Sequence, residues 1–386
     1  MPTSPRKVLC VLGTRPEAIK LAPLVRELAA RRSSFQVRLC ATGQHRELLD
    51  DALRAFGLVP DCDLDLMRPG QDPAALLART ITALGPVIAD FRPDVVVVQG
   101  DTTSTLAGAL AAYYARVPVA HVEAGLRSGD PFAPFPEEQH RRMVDQLARW
   151  LFAPTESARQ NLLREGHPPE RVQVTGNTGV DALRWLEREA QAPAARRALD
   201  ERLAAHGVSI DALGSANAGQ PPRRLVVATV HRREQIDGPL EDICAALREV
   251  AALGGVELLM PIHPNPDIRA AVDAALVGSA VRRIPALDPL DFVGLLRRAA
   301  LVITDSGGVQ EEAATLGVPA LIVRPRSDRP ESVAAGDSRV VGHDPELILA
   351  AAARILDAEP RMGTGEGREI FGDGRAAVRI ADALAL

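Results

Sequence analysis

Leu301-Val302-Ile303-Thr304-Asp305-Ser306-Gly307-Gly308-Val309-Gln310-Glu311-Glu312 is the stretch on which the fold turns. A short apolar run, Leu301 to Ile303, gives way to a Ser-Gly-Gly corner and then to a segment of helical composition. Apolarity without alternation is what a strand buried on both faces of a parallel sheet requires. Where such a strand turns into a helix, the first backbone N–H groups are left free to hold an anion. Two glycines let a phosphate approach the main chain, Ser306 adds a hydroxyl, and Glu312 one turn on can accept hydrogen bonds from sugar hydroxyls. The corner reads as a nucleotide-sugar site. A plain glycine turn shares the same local sequence, so the rest of the chain has to decide between the two.

The same alternation of apolar run and helical segment recurs on both sides of this corner. Strands are expected near residues 8–12, 36–41, 95–98, 117–122, 150–153 and 172–175, and again near 225–230, 256–260, 281–284, 301–303, 320–323 and 339–341. Helices fill the intervals, which makes the chain α/β with two doubly wound, Rossmann-like domains. The expected boundaries are 1–190 for an N-terminal domain bearing the candidate carboxylates, 191–223 for a linker and flexible loop, and 224–370 for a nucleotide-binding domain. The linker is read from lost apolar periodicity and from the turn formers of Gly214-Ser215-Ala216-Asn217-Ala218-Gly219-Gln220-Pro221-Pro222. The interdomain cleft is the expected active site.

Length and composition narrow the function classes. The chain has 386 residues, 46% hydrophobic and 25% charged, which suits a globular protein of two or three domains. A net charge of −5 supplies no positive field for nucleic acid or an anionic membrane, so neither is an expected partner. Cys10, Cys40, Cys62 and Cys244 are scattered without CxxC spacing and read as buried free thiols. With no signal-peptide pattern and no apolar run read as long enough to span a bilayer, a cytoplasmic location is expected. No His-x-Glu, HExxH or Cys/His spacing occurs, so neither a metal nor another cofactor is expected.

Ligands of open α/β sheets bind beyond the carboxyl ends of the strands, and here those ends are polar. The first strand is followed by Gly13-Thr14-Arg15-Pro16-Glu17-Ala18-Ile19-Lys20, which sets Arg15 at a helix entrance and Lys20 about one turn in, both able to meet a phosphate. Later ends bear Asp101 in Gln99-Gly100-Asp101-Thr102 and Glu123 in Glu123-Ala124-Gly125-Leu126-Arg127. Glu137 opens a further helix in Pro136-Glu137-Glu138-Gln139-His140-Arg141. A helix cap is the bland role for Asp101, and a dipole contact is the bland role for Glu137. In the second half, His231-Arg232-Arg233 and His263 follow strands, and Arg324 to Arg329 add cations after another. His45, His140, His167, His206 and His343 lie in polar segments and read as solvated.

Taken together, GTRPEAIKLAPL, TGQHRELLD, QGDTTSTLA, HVEAGLRSGDPFAPFPEE, TGNTGVDAL, HRRE, HPNP and TDSGGVQEEAATLGVP resemble the non-hydrolysing UDP-N-acetylglucosamine 2-epimerases, from about Val8 to the segment around Arg375. The resemblance implies a glycosyltransferase-B-like fold, a C-terminal helix over 371–386 returning to the first domain, and a homodimer. It implies reversible conversion of UDP-N-acetylglucosamine to UDP-N-acetylmannosamine, through loss and re-addition of UDP around 2-acetamidoglucal, supplying a cell-envelope polysaccharide precursor. By motif match, Asp101, Glu123, Glu137 and His231 are the implied catalytic residues. Arg15, Lys20, Phe292, Ser306, Gly307, Gly308, Glu312 and Arg329 are the implied substrate-binding positions. Gln44, Arg232 and His263 match a site where bacterial relatives bind a second substrate molecule as activator. Leu287 and Pro289 stand where many relatives carry Gln and Tyr near the base. A hydrolysing epimerase, a glycosyltransferase of the same fold and a non-enzymatic nucleotide-sugar sensor are the competing readings.

Overall fold

The computed structural model describes residues 4–43, 46–66, 68, 72–132, 134–208, 223–230, 238–262, 266–327, 329–358 and 369–386, with the backbone alone described at 46–48, 267 and 330. These form two compact units: residues 1–185 with 371–386, and residues 186–370.

In the first unit β1 (Arg6–Leu12), β2 (Phe35–Ala41), β3 (Cys62–Asp63), β4 (Val95–Gln99), β5 (Val119–Val122), β6 (Trp150–Ala153) and β7 (Val172–Val174) make one sheet in the order β3-β2-β1-β4-β5-β6-β7. Every pairing is parallel. The helices between them are α1 (Arg15–Ala30), α2 (Arg46–Ala55), α3 (Pro73–Phe91), α4 (Thr103–Tyr114), α5 (Glu137–Leu147) and α6 (Glu156–Arg164), and α7 (Thr178–Ala190) follows β7, its residues from Leu186 on counted with the second unit. Alternate strand residues feed two cores: Val8, Cys10 and Leu12 on one face, Leu9 and Val11 on the other, all buried. Burial on both faces is why these strands appear as unbroken apolar runs.

The second unit opens with α8 (Pro193–Ala205) and continues as β8 (Arg224–Thr229), α9 (Leu240–Ala252), β9 (Val256–Pro261), α10 (Pro266–Ala275), β10 (Arg282–Ile284), α11 (Pro289–Leu296), β11 (Ala299–Thr304), α12 (Gly307–Leu316), β12 (Ala320–Ile322), α13 (Pro330–Ala334), β13 (Ser338–Val340) and α14 (Pro345–Asp357). Its sheet order, β10-β9-β8-β11-β12-β13, repeats the winding of the first unit, again wholly parallel. In each sheet the chain reverses direction of winding once, between β1 and β4 and between β8 and β11, and ligands are held at such reversals.

Three features differ from the sequence reading. The stretch read as linker contains α8, which starts at Pro193 in the first turn and buries Leu199 and Leu203 one turn apart. It belongs to the second unit, where its Arg202 bonds Asp291 and Asp200 accepts from Arg298 at 2.5 Å. β3 is an added edge strand of two residues, with Cys62 paired to Cys40. Finally, α3 is long and apolar enough to cross a membrane by length and composition, at 19 residues and mean hydropathy 1.4. It instead lies along α4 and sends Leu84, Ile88 and Phe91 into the core of the first unit.

The first unit is completed by α15 (Ala376–Ala385), whose Ala377, Ile380, Ala381 and Leu384 pack into the core beneath α1. Asp181 of α7 accepts from the N–H groups of Ala376 and Ala377 at 3.1 and 2.9 Å, satisfying free donors at that helix start. Burial pushes its carboxyl up to about 6, against the pull of those donors. Just before, Gly372 crosses Gly176 so closely that a Cβ on Gly372 would lie 3.2 Å from the Gly176 Cα, and its φ of +123° suits glycine alone. The cysteines are free; Cys10, Cys40 and Cys244 are buried, and burial raises the Cys244 thiol to about 11.

Candidate functional site

The carboxyl ends of β1, β4 and β5 bring together much of what the sequence singles out in the first unit. Glu123 follows β5 in a left-handed conformation, φ +71°, which costs a residue with a side chain about 1–2 kcal/mol. Such strain persists where the surroundings hold it. Here the Glu123 and Ala124 N–H groups both donate to the Phe152 carbonyl, at 3.0 and 3.1 Å. The carboxylate, 8% exposed, meets the Lys20 ammonium at 2.5 Å through Oε1 and the Gln99 amide through Oε2. Lys20 thus sits against a carboxylate.

Asp101 lies one residue beyond Gly100, whose φ of +74° sets the turn after β4. Its carboxylate is paired with Arg141, and its carbonyl lies 3.1 Å from His140 Nδ1. His140 and His167, read as solvated, are both buried. Glu137 occupies the first turn of α5, four residues before Arg141 and so on the same helix face. It is half-exposed and has no side-chain hydrogen bond among the described residues, whereas its neighbour Glu138 is buried and accepts from Ser128 N and Arg142 Nε, each at 3.0 Å.

Beneath this loop lies a buried polar layer. His121 of β5 places Nδ1 2.7 Å from Asp145 Oδ1 and Nε2 2.8 Å from the Gly100 carbonyl, so that each ring nitrogen faces an oxygen. Asp145 also accepts from Arg127 at 2.7 Å. Burial alone would raise its carboxyl, but the His121 ring and the Arg127 guanidinium outweigh it and hold it below the usual carboxylate range. Glu17 is equally buried, and its oxygens accept from Gly13 N, Thr14 N and the hydroxyls of Thr14, Thr102 and Thr105. Burial raises its carboxyl while those hydrogen bonds pull it back. Arg15 is the first residue of α1, half-exposed beside this cluster.

In the second unit Ser306 caps α12, with Gly307 and Gly308 as its first two residues. The Arg329 guanidinium lies against Gly307, so that a Cβ added to that glycine would be 3.6 Å from the Arg329 Cζ. Glu311 holds it there through Nε, and Ser327 accepts from the Arg329 N–H at 2.9 Å while donating to Gln310 at 2.6 Å. A helix N-terminus and a guanidinium thus converge as an anion cradle. Glu312 is half-buried on the next turn, and Phe292 is half-buried on α11. His231, Gln44, Arg232 and His263 lie outside the described residues. Among the described residues, no group of three or more His, Cys, Asp or Glu is placed to hold a metal.

Sequence reasoning left out Glu17, His121, Asp145, Arg141 and Glu311. Only one had a local signal: Thr14-Arg15-Pro16-Glu17 is a capping-box spacing at a helix start.

Comparison with known proteins gives the wider setting. A family model described as UDP-N-acetylglucosamine 2-epimerase matches residues 26–385. A UDP-N-acetylglucosamine 2-epimerase of Escherichia coli strain K12 is 44% identical over 383 residues, 98% of each chain. The UDP-GlcNAc 2-epimerase of Neisseria meningitidis, solved bound to UDP-GlcNAc, is 36% identical with a TM-score of 0.87, over 98% of this chain and 99% of that one. The Methanocaldococcus jannaschii enzyme, solved with UDP-GlcNAc and UDP, is 31% identical with a TM-score of 0.79 over the same shares.

Proposed function

This chain belongs to the UDP-N-acetylglucosamine 2-epimerase family, and from that premise we propose that it interconverts UDP-N-acetylglucosamine and UDP-N-acetylmannosamine at C2 within a glycosyltransferase-B-like fold. The observation that carries the reading is the pair of strand-end carboxylates, Asp101 and Glu123, each held against its own cation, in a chain that also bears an anion cradle at Ser306–Gly308 and Arg329.

The chemistry needs both parts. The C2 hydrogen has no adjacent carbonyl, so its removal alone would leave a poorly stabilised carbanion. Loss of UDP answers this: a carboxylate takes the C2 proton, the C1–O bond breaks, and 2-acetamidoglucal forms. UDP then returns to C1 as a proton reaches C2 on the opposite face. Asp101, Glu123 and Glu137 form the acid–base set. Arg15, the cradle with Arg329, and His231 stabilise charge on the departing pyrophosphate. Lys20 serves the same substrate from beside Glu123, Glu312 takes sugar hydroxyls, and Phe292 lies by the base. Gln44, Arg232 and His263 form a second substrate site for activation. The product is a precursor for a cell-envelope polysaccharide.

Incubation with UDP-N-acetylglucosamine in heavy water, without added metal, yields UDP-N-acetylmannosamine carrying deuterium at C2, read by NMR. Free N-acetylmannosamine as the end product would identify a hydrolase, and an unchanged sugar would point to transfer or sensing.

The working form is a homodimer. α3 exposes Ala74, Ala75, Ala78, Gly85, Pro86 and Ala89, while Tyr113 and Tyr114 stand exposed at the end of α4. A second copy covering this face would bury it. Light scattering should give twice the 41.2 kDa chain mass, and a single-chain mass at micromolar concentration would reject the dimer. The cytoplasm is the proposed location, in keeping with four free cysteines, and recovery with the envelope on cell fractionation would overturn it.

A further inference from the structure

β1 and β4 are neighbours at the point where the first sheet reverses its winding, so the loops that follow them run side by side. One carries Arg15, the other Asp101. The first of them packs on the start of α4: a Cβ on Gly13 would come within 2.0 Å of Ser104 Oγ and 2.4 Å of Thr42 Oγ1, so a larger residue would have to push those side chains aside. Glu17 lies under both. Its Oε2 accepts from Gly13 N at 3.1 Å, Thr14 N at 2.7 Å and Thr14 Oγ1 at 2.7 Å. Its Oε1 reaches the other loop, accepting from Thr102 Oγ1 at 2.8 Å and Thr105 Oγ1 at 2.9 Å.

A helix cap needs only the first set. A glutamate at the third position of a helix satisfies the cap residue's N–H with one oxygen and works equally well at a wet surface. Here the carboxylate is 1% exposed and its second oxygen is given wholly to hydroxyls of the cap and first turn of α4, 85 or more residues away. Burying a carboxylate costs free energy unless hydrogen bonds compensate, and its donors come from both loops. Arg15 is bonded in sequence to Thr14, and Asp101 to Thr102. From the opposite side the Asp101 loop is held by His121 on the Gly100 carbonyl and by His140 and Arg141 on Asp101 itself.

We propose that Glu17 is a positioning residue for the reaction, a buried strut that fixes the Arg15 loop and the Asp101 loop in register with each other. The inference rests on the epimerase reading for the roles of Arg15 and Asp101. It extends that reading to a side chain that need not touch substrate.

Three variants test it. Glu17→Ala removes the strut. Glu17→Gln keeps it without charge, because the amide oxygen can stay on the Gly13–Thr14 side while its NH2 group donates to the oxygens of Thr102 and Thr105. Thr105→Val cuts one strand of the link from the far side and leaves Thr102 as the cap of α4; the Thr105 hydroxyl has a single proton, which it shares between Glu17 Oε1 and the Gln99 carbonyl 2.7 Å away, so the variant removes that contact too. A displacement near 1 Å in a catalytic site can cost on the order of 10²-fold in rate. Glu17→Ala should therefore lower kcat about 10- to 100-fold, with KM for UDP-N-acetylglucosamine within about 3-fold, and Glu17→Gln should recover most of kcat. Thr105→Val should lower kcat in the same sense. Amide hydrogen exchange of the ligand-free protein should quicken in residues 13–15 and 101–105 together in the alanine variant. Unchanged kcat in Glu17→Ala, equal losses in the alanine and glutamine variants, or faster exchange confined to residues 13–17 would each overturn the strut. Should Glu17→Ala not fold, Thr105→Val and Glu17→Gln carry the comparison. A wild-type protein that fails to epimerise would remove the functional reading, while the exchange experiment would still decide whether Glu17 couples the loops.

Discussion

Glu123→Gln and Asp101→Asn each lower turnover by about 10²- to 10⁴-fold, the usual worth of general acid–base catalysis, while UDP binding is retained. The substitutions are close in shape, and the surroundings can accept them. In Glu123→Gln the amide oxygen keeps the Lys20 ammonium, and Gln99 can rotate its own amide to present an oxygen to the new NH2 group. What the variant loses is the ability to take and return a proton. In Asp101→Asn the Arg141 guanidinium keeps one oxygen acceptor, so the loop should hold its place. Initial rates by NMR and UDP affinity by calorimetry separate the two effects. Wild-type turnover in both variants would remove these carboxylates from the mechanism, and loss of UDP binding would show that the substitutions disturb more than proton transfer.

Asp145→Ala destabilises the first unit by about 3–5 kcal/mol, the range for removing one partner from a buried ion pair. Asp145 is fully buried and holds His121 and Arg127, both of them themselves largely buried. Its loss leaves His121 Nδ1 without its partner inside the core, while Arg127 keeps Glu165 at 2.6 Å. The two tryptophans, Trp150 and Trp185, both lie in the first unit, so their fluorescence follows that unit through a urea titration. With a urea slope of about 1–3 kcal/mol per molar, the midpoint should fall by about 1–5 M. Asp145→Asn, which keeps an oxygen for one partner, should fall less. A midpoint unchanged in Asp145→Ala would mean that the His121–Asp145–Arg127 set contributes nothing to the unit's stability.

The strands were legible because burial on two faces leaves little room for polar residues: Val95–Val98 and Leu301–Ile303 announce themselves in any window. β3 did not, since two residues, one of them an aspartate, carry no pattern. Helix α8 was hidden for a different reason. It buries only Leu199 and Leu203 among arginines, alanines and acids, so its stripe is too thin to stand out from a linker. In the site, Asp101, Glu123 and Ser306 could be found because each lies within three residues of the end of an apolar run. Their supports could not. The partners of Glu17 at Thr102, of Asp101 at Arg141 and of His121 at Asp145 are fixed by the winding of the sheet rather than by sequence spacing. His140 looked solvated because its neighbours on α5 are charged, yet α5 turns that position inward against α4 and the Asp101 carbonyl.

The path of the chain through its two units constrains the order in which the protein can be made. Residues 186–370 are synthesised after the whole first sheet but before α15, whose Ala377, Ile380, Ala381 and Leu384 belong to the first unit's core. On the ribosome, the N-terminal sheet therefore waits, with apolar surface beneath α1 uncovered, while an entire second unit emerges and folds. Asp181 waits with it, a carboxylate without the two N–H groups it will later receive. The earliest-translated half is thus the last to mature, and a nascent chain stalled anywhere in the second unit presents chaperones with a sheet that is wound but not yet sealed.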